Sequence, residues 1–81
     1  MMLRLKIVNK NGLIFEGDAG FCEIPADAGI EGVMPGHVNF ISNLAPGVIK
    51  YKIGETYNEI TVSEGGFAEI GNDNVNILLD S

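Results

Sequence analysis

The chain is 81 residues long, 46% hydrophobic and 20% charged, with 11 acidic residues against 5 basic ones and a net charge of −6 at pH 7. A chain of this size is one small domain, residues 1–81, which buries only about 60% of the surface its unfolded form exposes, so a partner covering an apolar face adds materially to its stability. The basic residues Arg4, Lys6, Lys10, Lys50 and Lys52 form two short groups, which argues against direct binding to nucleic acid or an anionic lipid surface, and no stretch approaches the ~20 apolar residues of a membrane span.

In chain order, "LRLKIV" sends Leu3, Leu5 and Ile7 to one side and Arg4 and Lys6 to the other, as in a half-buried strand. The segments "GLIFEG", "GFCEIP", "VNFIS", "GVIKYKI", "YNEITVS", "FAEIG" and "VNILL" are also short, rich in Val, Ile, Phe and Tyr, and bounded by Gly, Pro, Asn or Asp. Between them, "NKNG", "PADAG", "APG", "GE", "EGG" and "NDN" supply turn residues. No window carries a helical period. Eight to ten short strands at this spacing predict an all-β sandwich or flattened barrel. The stretch "AGIEGVMPGHVN" reads as the one long connection, and loops of that length in compact domains are often functional.

The single cysteine, Cys22, lies between Phe21 and Glu23 in an alternating segment and reads as a buried strand thiol in a reducing compartment. His37 is the only histidine. Ser42, Ser63, Thr56, Thr61 and Cys22 stand in no nucleophile elbow, so no catalytic residue is expected. One His and one Cys would have to recruit scattered carboxylates for a metal, so no metal site is expected. Glu16, Asp18, Glu23, Glu31, Glu55, Glu59, Glu64 and Glu69 alternate with apolar residues and read as the solvent face. The glycines of "GIEGVMPG" lack the Lys-Ser/Thr and helix of a phosphate loop, and "GGFAEIG" leads into a strand, so no cofactor is expected. What remains is a surface, with Met34, Pro35, Val38, Phe40 and Ile41 crowded beside a Pro-Gly bend of type II character that holds the His37 ring against the outer face. Plugging of one sandwich end by the same side chains is an equally good reading of the residues alone.

The segment "GIEGVMPGHVNFISNLAPGVI" resembles the signature of the epsilon subunit of the F-type ATP synthase, as do "VSEGGFAEIGNDNVNILLD" and Phe15 and Gly17 of "LRLKIVNKNGLIFEG". The resemblance implies a ten-stranded β-sandwich. It also implies a non-catalytic rotor component of the central stalk, docked on the gamma subunit and the polar loops of the c-ring and acting only indirectly on the alpha-beta ring, coupling proton transport to ATP synthesis. The implied location is peripheral, on the cytoplasmic face of the bacterial inner membrane. Carried over by position, Asn9, Met34, Pro35, Gly36, His37 and Ser42 are expected to face gamma, and Ala28, Gly29, Ile30 and Glu31 to face the c-ring. Many family members place the acidic residue first between the two glycines, whereas this chain has Ile30 and then Glu31. "VSEGGF" carries one residue more than the common form, which suggests a bulge or wider turn. Family members commonly continue into a helical hairpin that inhibits ATP hydrolysis, and a polypeptide ending at Ser81 is expected not to inhibit that way. The competing expectation is a stand-alone sandwich that binds a small ligand or serves as an adaptor, for which the chain, with two tyrosines and no tryptophan, is poorly equipped.

Overall fold

The computed structural model describes residues 1–37 and 39–81. Among them are nine strands: β1 (Leu3–Asn9), β2 (Gly12–Ala19), β3 (Phe21–Ala26), β4 (Gly29–Val33), β5 (Phe40–Leu44), β6 (Gly47–Ile53), β7 (Thr56–Val62), β8 (Gly66–Gly71) and β9 (Asn74–Leu79). The all-β class expected from the period-two pattern is what forms, with nine strands in the described residues where the resemblance implied ten. Val38, which the sequence reading placed at the start of a strand and in the apolar cluster of the bend, lies outside the described residues.

The strands make one sheet in the order β2-β1-β9-β8-β5-β3-β6-β7, with β4 on the free edge of β3. β3 is where the sheet divides. One edge of β3 pairs along its length with β4, while the other is shared, residues 21–23 with β6 and Ala26 with Leu44 of β5. The sheet curls there, so that β2 comes against β6 through a ring contact of Phe15 with Tyr51. β1 and β9 are parallel and adjacent. The first and last strands therefore complete each other, and the remaining pairings are antiparallel.

The core follows from alternation. Leu3, Leu5 and Ile7 of β1 and Val75, Ile77 and Leu79 of β9 point inward, joined by Cys22, Ile24, Val33, Ile49, Tyr51 and Val62 from the other half. Arg4 and Lys6 point outward, Arg4 lying 3.6 Å from Glu16 and 3.5 Å from Asp18 on β2. Where β1 pairs β2, the register shifts between Ile7 and Val8, which face Phe15 and Leu13, so Ile14 is an extra residue in the ladder.

The stretch 28–39, read from sequence as one long loop, contains β4. Gly29 and Gly32 interrupt its apolar pattern, and strand pairing with β3 from Cys22–Val33 to Ala26–Gly29 overrides their low strand preference. β4 ends at Val33 and β5 begins at Phe40. The extra residue of "VSEGGF" falls in the wider turn between β7 and β8, which are not paired with each other. Gly66 at the end of this turn lies so close to β9 that a Cβ would stand 2.4 Å from the Leu78 carbonyl oxygen.

Candidate functional site

The bend 34–37 is built from its own turn and two anchors. The His37 N–H donates to the Met34 carbonyl at 3.1 Å, and Gly36 has φ +86°, a conformation that glycine adopts without a Cβ clash. The expected Pro-Gly turn therefore forms. The first anchor is the Gly36 N–H, which donates to Asp73 Oδ1 at 2.7 Å. Asp73 sits in the tight β8–β9 turn, where Asn72 and Asp73 both have positive φ, and its carbonyl accepts the Arg4 N–H at 2.8 Å. The bend is thereby tied to the half of the sheet that holds β1, β8 and β9.

The second anchor is the histidine ring. Its Nε2 lies 3.1 Å from Glu31 Oε2, and its centroid is 5.0 Å from that of Phe40, which packs against the core. Only a fifth of the His37 side chain is exposed. The outer-face placement expected from the sequence is therefore corrected: the ring turns in toward β4 and β5. The cause is the phase of β4. Glu31 stands opposite buried Ile24 and two residues from buried Val33, so it shares their side of the strand, and an acidic group there is satisfied by the imidazole. Glu31 is thus an exception to the reading of the acidic residues as a plain solvent face.

Alternation sends Ile30 the other way. It is 74% exposed, and Met34, on the bend, is 61% exposed. Ala28 and Gly29 lie exposed at the tip of the β3–β4 hairpin. Pro35 and Gly36 form the corner of the bend. Ser42 lies on β5 beside Ala68, its hydroxyl donating to the Asn43 carbonyl at 2.9 Å. Asn9 stands apart from this group, at the end of β1 opposite Arg4, where its side-chain oxygen accepts the Asn11 N–H at 2.9 Å. The fold thus gathers Glu31 and residues 34–37 at one place and leaves Asn9 at the far end of the strands.

A surface that the sequence reading passed over runs across the outside of four strands. Leu13, Val8, Leu78 and Phe67 follow one another in register across β2, β1, β9 and β8, and Leu13, Leu78 and Phe67 are exposed. The signal was legible: "NILLD" has three successive apolar residues, and in a strand one of them must point away from the core.

Cys22 is fully buried, and burial, with Glu23 beside it, pushes its thiol up to about 12. Tyr51 is raised as well, first by burial and then by its neighbour Cys22. Among the described residues no group of three or more His, Cys, Asp or Glu is placed to hold a metal. An open groove of about 590 Å³ lies between β5, β8 and β9, lined among others by Asn39, Ile41, Glu69, Asn74 and Asn76. No helix among the described residues is long and apolar enough to cross a membrane.

Comparison with known proteins bears on the whole chain. Residues 2–81 match the family model of the ATP synthase Delta/Epsilon chain, beta-sandwich domain. The chain is 35% identical over 81 residues to the ATP synthase epsilon chain of Prochlorococcus marinus (strain MIT 9515), covering 100% of this chain and 60% of the relative. It is 32% identical over 80 residues to that of Herminiimonas arsenicoxydans, covering 98% of this chain and 57% of the relative. The chain thus spans less than two thirds of these curated relatives. In fold it is similar to a chain of the Euglena gracilis mitochondrial ATP synthase (OSCP/F1/c-ring), with a TM-score of 0.91 at 24% identity over 99% of this chain and 51% of that one. A chain of the Tetrahymena thermophila mitochondrial ATP synthase central stalk and c-ring aligns with a TM-score of 0.82 at 9% identity, over 100% of this chain and 65% of that one. With a family model matched from residue 2 to residue 81, the chain belongs to the ATP synthase delta/epsilon family, as its β-sandwich domain.

Proposed function

We propose that this chain is a non-catalytic rotor component of an F-type ATP synthase, docking on the gamma subunit and on the c-ring loops and so helping to couple proton translocation to ATP synthesis in the alpha-beta ring. The observation that carries the reading is the match to curated epsilon chains over 98% or more of this chain and above 30% identity. The surface at the bend supports it. Met34 exposes an apolar side chain on a bend held by hydrogen bonds of Gly36 and His37, and Ile30 exposes another on β4, the kind of preorganised projection that docks at low ordering cost. Met34, Pro35, Gly36, His37 and Ser42 face gamma in this reading, with Asn9 as a separate contact at the far end of β1. Ala28, Gly29 and Ile30 face the c-ring, and Glu31 stands between the two sets.

The chain sits peripherally on the cytoplasmic face of the bacterial inner membrane in this reading, held by its protein partners. The inhibitory role of a helical hairpin is not assigned to these residues. Size-exclusion of the chain with its cognate gamma subunit tests the proposal. Co-elution at one-to-one stoichiometry supports it, and separate elution of a folded chain sinks it.

A further inference from the structure

We propose that Glu31 is a positioning residue for the bend, and that through its bond to His37 the hairpin surface and the bend surface act as one energetically coupled unit. The inference rests on the docking reading above for the identity of the partner, but its geometry belongs to the free chain.

Glu31 comes from the β3–β4 hairpin and His37 from the bend, and their 3.1 Å side-chain hydrogen bond joins the two. From the other side, Asp73 holds the neighbouring Gly36 N–H at 2.7 Å. The bend is therefore a strap with one foot on the β8–β9 turn and one on the hairpin. Its own turn bond, from the His37 N–H to the Met34 carbonyl, sets local shape but not direction. Direction comes from the two feet. The Phe40 ring behind His37 limits how the imidazole can turn while it reaches Glu31. A bond in this geometry has Nε2–H donating to the carboxylate, which in the neutral ring selects the Nε2–H tautomer.

The order of the two residues between Gly29 and Gly32 makes this possible. Period-two alternation places the second of them, Glu31, on the His37 side and the first, Ile30, in solvent. With the order exchanged, the carboxylate would face solvent and the strap would lose that foot. The Ile-Glu order thus changes what each end of the hairpin does: its outward contact is apolar, and its charge is spent inside the chain on holding the bend.

Two consequences follow. Removal of the Glu31 carboxylate leaves the bend to be ordered at the moment of docking, which weakens binding roughly 3- to 10-fold. Because coupling of binding free energies is reciprocal, a contact that draws Glu31 off His37 weakens docking at the bend by the same factor as docking at the bend resists that contact.

The test measures the affinity of wild type, Glu31→Ala, Glu31→Gln, His37→Ala and the Glu31→Ala/His37→Ala double variant for the cognate gamma subunit by calorimetry. The expected result is weaker binding by Glu31→Ala, recovery by Glu31→Gln, whose amide oxygen still accepts the Nε2–H, and a double variant no weaker than His37→Ala alone. Wild-type affinity in Glu31→Ala, or fully additive losses, overturns the proposal. Absence of wild-type binding to gamma sinks the docking reading instead, and the positioning role is then decided by amide hydrogen exchange in the free chain. Faster exchange at Gly36 and His37 in Glu31→Ala, restored in Glu31→Gln, supports it, and unchanged exchange overturns it.

Discussion

The ring of Phe15 on β2 lies 4.6 Å, centroid to centroid, from the ring of Tyr51 on β6, tilted by 35°. This contact joins the β2 edge of a sheet that is continuous through β3 to β6, the strand next to its other edge, and it also accounts for the Phe-x-Gly spacing of "FEG". A Cβ at Gly17 would come 3.0 Å from Phe15 Cζ, so the ring reaches Tyr51 by lying across a residue with no side chain. Phe15→Ala is expected to lower unfolding free energy by about 2–4 kcal/mol, toward the low end of buried Phe truncations because the ring is only half-buried. Gly17→Ala is expected to give a smaller loss in the same direction. Urea titration of both variants checks the order, and a Phe15→Ala loss below about 1 kcal/mol would show that the sheet closes without this pair.

Gly66→Ala introduces a Cβ 2.4 Å from the Leu78 carbonyl oxygen and 3.0 Å from the Leu79 Cα, both backbone atoms of the paired strand. Neither can move without disturbing the β8–β9 ladder. The expected cost is about 1–3 kcal/mol, read as a lower urea midpoint at unchanged slope. A midpoint equal to wild type would count against the close approach.

Cys22 sets an alkaline limit on stability. Its thiol is held up to about 12 in the folded chain against an ordinary 9.0, so above pH 9 the unfolded chain gives up a proton that the folded chain keeps. Protons lost on unfolding make stability fall as pH rises, by up to about 1.4 kcal/mol per pH unit for one such group. Below pH 9 the group contributes no slope. Tyr51, also raised by burial, adds to the decline above pH 10. Cys22→Ala is expected to flatten the profile between pH 9 and 10, measured as urea midpoint against pH. The same burial predicts that native Cys22 reacts with a thiol reagent at pH 8 only as fast as the chain opens.

At His37 the choice of substitution decides what is measured. His37→Glu sets a second carboxylate against Glu31, whose Oε2 is 3.1 Å from the ring nitrogen it would replace, so it disturbs the bend as well as any interface. His37→Gln keeps a donor. His37→Gln is expected to hold stability within about 1 kcal/mol of wild type, while His37→Glu loses gamma binding by more than tenfold. Equal affinities of the two variants for gamma would remove His37 from the interface.

Ile30 separates the c-ring contact from the gamma contact. At 74% exposure it packs on little within the chain, so Ile30→Ser is expected to leave stability within about 0.5 kcal/mol of wild type. In the proposed assembly it weakens retention on c-ring-containing membranes and leaves gamma affinity unchanged. Loss of gamma affinity in Ile30→Ser would mean that hairpin and bend meet the same partner.

The strand pattern of this chain was fixed locally. Alternation in "LRLKIV" and "VNILL" places Leu3, Leu5 and Ile7, and Val75, Ile77 and Leu79, in the core whatever their neighbours are, because a pleated strand sends successive side chains to opposite faces. The turns at Gly36 and at Asn72-Asp73 were legible for the same reason, since positive φ is a property of the residue. β4 was not legible, because its two glycines carry no strand preference and its formation depends on β3 lying alongside. The partner of His37 was not legible either. Which face Glu31 occupies depends on the register of β4 against β3, and which way the ring turns depends on where the curl of the sheet brings that face. Only long-range pairing sets these. Sequence therefore determined the strands, the core set and the bend as a candidate surface. Tertiary structure alone decided that the histidine turns inward to a carboxylate while Ile30 and Met34 are left on the surface, because register and curl are agreements between distant segments.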